Sequence, residues 1–215
     1  KTNINGTYNL LEVSKKYWLS LSSIEQSKFR FLQISTDEVY GSLHESESPF
    51  TEENNYKPNS PYSASKASSD HLVRAFYKTY NFPSLITNCS NNYGPFQYPE
   101  KLIPLVINNA LRNLPLTVYG DGMQIRDWLY VDDHCNAIKE VLKYGVPFEV
   151  FNIGGSNEMR NIDIVRLICK RLDLLAKRDS DKKYEQLIEH VVDRPGHDKR
   201  YAIDSTKINQ VCHWR

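Results

Sequence analysis

No apolar run in the sequence approaches the ~18 residues that a membrane-spanning helix needs, and no signal peptide opens the chain, which argues against spanning and secretion. Charge of one sign is also missing. The 27 lysines and arginines nearly balance 26 aspartates and glutamates, leaving +1, so no broad field speaks for nucleic acid or an anionic membrane. Any anion must be met by local arginines and lysines. Cys89, Cys135, Cys169 and Cys212 have neither Cys-x-x-Cys spacing nor histidine partners, so neither a zinc site nor a disulfide framework is suggested, and reduced, cytosolic thiols are the expectation. Asn5-Gly-Thr7 and Asn88-Cys-Ser90 match the glycosylation sequon but carry no weight without secretion. A glycine-rich dinucleotide turn is lacking too: Gly120-x-Gly122 has no third glycine and opens no helix, so a hairpin or loop is expected there. What remains, 215 residues with 40% hydrophobic and 25% charged, is an ordinary globular balance for one domain, or one and a lobe.

Ile4, Leu10, Leu11, Val13, Tyr17 and Trp18 recur at helical spacing over 3–18, with Lys15 and Lys16 where the helix dipole favours cations. A polar linker over 20–28 leads to a strand over 29–35. Ser60 as N-cap and Pro61 at the first helical position start a helix expected to reach about Tyr80, with Leu72, Val73, Phe76 and Tyr80 inward. A buried strand follows over 84–89, then a helix opening at 99–104 and reaching about Asn113. Strands are expected over 116–119 and 126–131. Asp132-Asp133-His134 reads as a helix start capped by Asp132 rather than as a metal cluster. Beyond the strand over 148–153 and the turn at Gly154-Gly155, Asn161 caps an amphipathic helix carrying Ile164, Val165, Leu167 and Ile168. The stretch 170–185, dense in charge of both signs, reads as a solvated helix end and loop. A strand over 187–192 and a short helix from Ser205 complete the pattern.

Two polar clusters exceed what folding requires. Thr36, Asp37 and Glu38 stand just past the carboxyl end of a strand, which is where open α/β sheets bind ligands. Adjacent carboxyls in different surroundings can serve as one acid and one base. Tyr62 and Lys66 stand one helical turn apart on one face, and an ammonium beside a phenol is expected to favour the phenolate and lower its pKa. Each cluster also has an ordinary reading. A Tyr/Lys pair at this spacing suits a solvated helix face, and Thr-Asp-Glu after a strand suits a turn or a cap. Likewise Asn91-Asn92 before Gly94-Pro95 reads as a turn, and Arg126 as a surface arginine or a bidentate grip on phosphate.

Taken together, Ser-Thr-Asp-Glu-Val-Tyr-Gly (35–41) and Pro-Tyr-Ser-Ala-Ser-Lys-Ala (61–67) resemble the extended short-chain dehydrogenase/reductase superfamily and, within it, the dTDP-glucose 4,6-dehydratase family. The resemblance implies an α/β fold: a partial Rossmann-type doubly wound sheet with a smaller C-terminal substrate-binding lobe. Residues 1–90 would be the C-terminal part of the NAD-binding Rossmann domain, and 91–215 mainly the sugar-nucleotide lobe with some segments returning to the sheet. It further implies NAD as cofactor, dTDP-glucose as substrate and a homodimer. Tyr62, Lys66, Thr36, Asp37 and Glu38 would be catalytic. Tyr62 and Lys66, together with Thr2 and Asn92, would touch NAD. Thr36, Asn91, Lys101, Leu102, Thr117, Tyr119, Arg126, Asn161 and the run Asp193-Arg194-Pro195-Gly196-His197 would hold the sugar nucleotide.

Related sugar-nucleotide epimerases or decarboxylases would keep Tyr62 and Lys66 but have no need of paired Asp37 and Glu38. The helix at 3–18 resembles the one that follows the fourth strand of the family. On that reading a mononucleotide-binding half, on the order of a hundred residues with its glycine turn, is expected before Lys1. A polypeptide of the given length would then be marginally stable, bind NAD poorly and be inactive. Two further readings follow, a nucleotide-sugar-binding remnant and a structural partner module.

Overall fold

The computed structural model describes residues 1–178 and 182–214. Its central element is a parallel sheet of three strands in the order β1 (Phe31–Thr36), β2 (Ser84–Cys89) and β6 (Val150–Ile153). All of β2 is buried apart from its last residue, as expected for a strand covered on both faces. Its successive side chains enter opposite cores. Ile86 packs with Leu11, Val73, Phe76 and Phe82, beneath α1 (Thr7–Ser20) and α3 (Pro61–Tyr80). Leu85 packs with Ala137, Val141, Phe151 and Ile208, beneath α5 (Val131–Tyr144) and α7 (Thr206–Cys212). Helices on both faces of a parallel sheet make this a Rossmann-like, doubly wound arrangement.

A separate core joins α4 (Leu102–Leu111), β4 (Leu116–Tyr119) and α6 (Asn161–Leu175) through Val106, Leu116, Val118, Val165 and Cys169. There β4 pairs in parallel with β8 (Ile188–Val191). The third sheet has the order β3 (Asn91–Tyr93), β5 (Ile125–Tyr130) and β7 (Glu158–Arg160). The segment 120–122 is therefore a loop and not a hairpin turn, because β4 and β5 belong to different sheets. Asn91-Asn92 likewise lies in a short strand held by β5.

The expected linker over 20–28 contains a helix, α2 (Ser23–Lys28), begun by a capping box. The Glu25 backbone donates to Ser22 Oγ at 3.4 Å, and the Ser22 backbone to Glu25 Oε2 at 2.9 Å. Helix α3 spans the expected residues, with Ser60 and Ser63 capping each other. Val73 and Phe76 are buried, but Tyr80 is 46% exposed; its ring lies under the Lys15 ammonium at 3.9 Å instead of in the core. Asp132 does not cap α5, whose N-cap is Tyr130. It sits in the first turn beside Asp133, where a carboxylate favours the dipole without a cap bond. Asn161 is the first residue of α6, after the N-cap Arg160, and its side chain makes no cap bond. On that helix Leu167 is exposed, while Ile164 and Val165 are buried. Part of the charged stretch over 170–185 lies outside the described residues. No described helix is long and apolar enough to cross a membrane.

Candidate active site

Because β1, β2 and β6 run parallel, their carboxyl ends open on one edge, and polar side chains collect there. Strand β1 ends at Thr36 and passes into a single 3-10 turn, Asp37–Tyr40, with the Thr36 hydroxyl accepting from the Glu38 backbone N–H at 3.4 Å. Gly41 closes that turn at φ +96°, and a Cβ there would stand 2.6 Å from the Lys57 carbonyl oxygen, so only glycine fits. A cleft of about 540 Å³ beside it brings together Thr36, Asp37, Glu38, Tyr62, Asn91, Asn92 and Lys101.

The two carboxyls have different surroundings. Asp37 is 2% exposed, and its Oδ2 is buried without a hydrogen-bond partner. Burial first, and then the neighbouring Glu38 charge, push its carboxyl up to about 8, so it carries a proton at neutral pH. Glu38 is also raised by burial, but the Arg126, Arg194 and Lys101 cations pull it back. One group is set up to give a proton and its neighbour to take one.

The tyrosine departs from expectation. Tyr62 is raised, by burial first and then by the facing Glu38 carboxylate. The ammonium expected to lower it is engaged elsewhere, since Lys66 Nζ donates to the Ile34 carbonyl at 2.6 Å.

The other expected positions divide. Arg126 is 5% exposed and donates to the carbonyls of Ile125 at 2.7 Å and Asp198 at 2.9 Å. Asp193 and His197 hydrogen-bond each other at 2.7 Å and line a second cleft of about 570 Å³ with Gln124 and Arg200. Arg194, Pro195 and Gly196 are exposed on the same loop. Thr117 and Tyr119 lie exposed on β4, Asn161 is half-buried at the start of α6, and Leu102 packs into the α4–α6 core. Thr2 is exposed, next to Asn3, whose amide bonds Ser65 of α3 at 2.8 Å. None of this second group lines the first cleft.

Sequence reading missed Asp70, although its spacing of four and eight residues from Lys66 and Tyr62 puts it on their helix face. Asp70 is 2% exposed and accepts from the Ser35 hydroxyl at 2.6 Å. With Lys66 on Ile34, it fastens α3 to the strand that delivers Thr36. Burial pushes the Asp70 carboxyl up to about 6, with Ser35 and Lys66 holding it back. The hydroxyl favours the charged form, which dominates only above that pH. Ser35→Ala is therefore expected to destabilise the fold by about 2 kcal/mol at pH 8 and by under half of that at pH 5. Urea unfolding at both values checks this, and an equal loss at the two would contradict it.

The family model for GDP-mannose 4,6 dehydratase matches residues 1–215. A dTDP-glucose 4,6-dehydratase from Escherichia coli is 58% identical, covering 100% of this chain and 62% of its own length. One from Neisseria meningitidis serogroup B is 57% identical, with 100% and 61% covered. The crystal structure of dTDP-glucose 4,6-dehydratase from Bacillus anthracis in complex with NAD has a TM-score of 0.85 at 50% identity, covering 100% of this chain and 62% of that one. A Bacillus cereus UDP-glucuronic acid 4-epimerase reaches a TM-score of 0.82 at 28% identity, with 99% and 62% covered. The chain thus spans less than two thirds of the length of these relatives, and its likeness to dTDP-glucose 4,6-dehydratases runs through its whole sequence. Matched by the family model from its first residue to its last, the chain belongs to the GDP-mannose 4,6 dehydratase family.

Proposed function

We propose that this chain carries the dehydrating centre of an NAD-dependent dTDP-glucose 4,6-dehydratase, a hydro-lyase that yields dTDP-4-keto-6-deoxyglucose. The observation that carries the reading is the Asp37–Glu38 pair, one carboxyl buried with an unpartnered oxygen and the other facing three cations, in the same cleft as Tyr62. An epimerase has no use for such a pair. The names of relatives at 57–58% identity supply the substrate.

The residues present fit the nicotinamide end of the cofactor. Tyr62 and Asn92 line the cleft, and Asn92 Oδ1 is buried without a partner. Lys66 and Thr2 also touch NAD in this reading, Lys66 at the cofactor ribose. Bound NAD would accept hydride from sugar C4 and later return it to C6. Tyr62, assisted by Lys66, takes the 4-hydroxyl proton while Thr36 hydrogen-bonds that oxygen. Glu38 then removes the C5 proton, acidic beside the new ketone. Asp37 protonates the departing 6-hydroxyl, so water leaves, and as hydride returns to C6 Glu38 gives its proton back to C5. Each acid or base contributes about 10²- to 10⁴-fold.

In the same reading residues 1–90 belong to the NAD-binding domain and 91–215 mainly to a sugar-nucleotide lobe. Arg126, Arg194 and His197 meet the diphosphate, Asn91, Lys101, Leu102 and Asn161 the rest of the nucleotide sugar, and Thr117 and Tyr119 the base. The protein is a cytoplasmic homodimer.

The test is to isolate the native protein, record its intact mass and the NAD released on denaturation, and supply dTDP-glucose. A product lighter by one water supports the reading. A protein that binds dTDP but releases no such product is a nucleotide-sugar-binding remnant, and one that binds neither dTDP nor NAD overturns the assignment.

A further inference from the structure

Asp198 follows the run at 193–197 and has no role in the chemistry above. Only 9% exposed, it accepts from the Asn59 amide at 2.7 Å through Oδ1 and from the Tyr201 hydroxyl through Oδ2. Its own carbonyl accepts from Arg126 Nη2 at 2.9 Å, and the Arg126 guanidinium lies over the Tyr201 ring, 4.3 Å from the centroid. The other arm leads to the tyrosine. Asn59 directly precedes Ser60, the N-cap of α3, and Tyr62 is in the first turn of that helix. Arg126, Tyr201, Asp198 and Asn59 thus form an unbroken chain of contacts from the arginine to the start of the helix that carries Tyr62.

The neighbourhood explains why a carboxylate is needed. Both partners of its side chain are neutral donors, and an amide in its place would have one oxygen for two donors and would turn its N–H₂ toward the other. The Asp198 charge also reaches Glu38, opposing the arginines there.

We propose that Asp198 is a positioning residue that sets the distance between the diphosphate-holding Arg126 and Tyr62, so that an anchored sugar nucleotide presents its 4-hydroxyl to the phenol. The inference rests on the dehydratase reading. Anchoring by the diphosphate and attack at the sugar are separate events, and an error of about 1 Å in their register costs on the order of 100-fold in rate.

The two arms can be cut separately. Asn59→Ala leaves the Arg126–Tyr201–Asp198 platform intact. In the native protein it is expected to keep dTDP affinity, measured by calorimetry, within about twofold, while kcat for dTDP-glucose falls about 10- to 100-fold. Tyr201→Phe keeps the ring under Arg126 but removes the hydroxyl, and Asp198→Asn disturbs both arms. Each is expected to weaken dTDP binding about tenfold and to lower kcat, from the loss of one charge-assisted bond.

Unchanged kcat in Asn59→Ala overturns the proposal, as does a loss in all three variants that follows thermal stability alone and leaves kcat per NAD-loaded site and the dTDP affinity at wild-type values. A wild-type protein that neither binds dTDP nor turns over dTDP-glucose overturns the dehydratase reading, and the positioning role falls with it. Wild-type binding and turnover with unaffected variants overturn the positioning role only.

Discussion

Asp37→Asn and Glu38→Gln are expected to stop the proposed reaction at the 4-keto sugar, whereas Tyr62→Phe is expected to prevent the oxidation. The loss in each case is about 10²- to 10⁴-fold. The separation follows from the surroundings of each group. Asp37 is buried, lacks a partner for Oδ2 and is pushed up to about 8, so it enters the neutral range already protonated. Glu38 sees Arg126, Arg194 and Lys101, which favour its ionised form. Neither is needed to take the 4-hydroxyl proton. In stopped-flow measurements on the native protein, the two carboxyl variants should accumulate reduced nicotinamide absorbance without releasing the dehydrated product. Tyr62→Phe should show neither signal. Equal loss of both signals in all three variants would contradict these roles.

The same aspartate sets a pH limit. As pH rises through about 8 the acid form of Asp37 disappears, so dehydration is expected to fall on the alkaline side in the wild-type protein. Its folding linkage has the same direction. Below the ordinary carboxyl value both folded and unfolded states hold the proton and the group costs nothing. Between there and about 8 only the folded state keeps it, so stability declines with rising pH, by up to about 1.4 kcal/mol per pH unit. Relative to wild type, Asp37→Asn should therefore be better placed at pH 8.5 than at pH 5.5, by about 3 kcal/mol from a slope of about 1.4 kcal/mol per unit between pH 5.5 and about 8. Urea unfolding at both values checks the sign; a larger gain at pH 5.5 would show that the burial of Asp37 is not its cause.

What could be read in the sequence was local. Ser60 and Pro61 announced α3 because caps and first-turn prolines act within one turn. The expected burial of β2 is found on both faces although Ser84, Thr87 and Asn88 in it are polar. The Thr36–Glu38 and Tyr62–Lys66 clusters were visible because each is short, and the cleft that joins Thr36, Asp37, Glu38 and Tyr62 brings the two together. Helix α2 was missed because periodicity was sought in a polar segment, where the Ser22–Glu25 capping box was the better sign. Pairings at long range were illegible. Nothing near Gly120 says that β4 will pair with β8, some seventy residues on. The direction of the Tyr62 shift was missed for a related reason: spacing put Lys66 on the right face, but the Ile34 carbonyl that takes its ammonium comes from another element. Asp70 and Asp198 owe their importance to Ser35 and Asn59, partners that a one-dimensional pattern does not bring near.

Arg200→Ala is expected to be the most damaging substitution outside the first cleft, at about 3–4 kcal/mol. Exposed ion pairs contribute little, so the case depends on burial and geometry. The Arg200 side chain is 9% exposed and that of Glu158 33%. The contact is a two-point fork, Nε to Oε2 at 2.6 Å and Nη2 to Oε1 at 2.8 Å. Nη1 meanwhile donates to the carbonyls of His44 at 3.1 Å and Glu47 at 2.7 Å. One guanidinium thus fastens the 44–47 loop to the edge strand β7. Alanine would leave a partly buried carboxylate and two carbonyls without donors, which costs more than the attraction itself. Lysine should recover less than half, because a single ammonium does not reproduce the planar fork. Arg200 and His44 also line the cleft shared with Asp193 and His197, so the loop released by the substitution is the wall of the proposed nucleotide site. The variant should accordingly lose dTDP affinity along with its urea midpoint, and a stability loss under about 1 kcal/mol would show that the fork is no stronger than a surface pair.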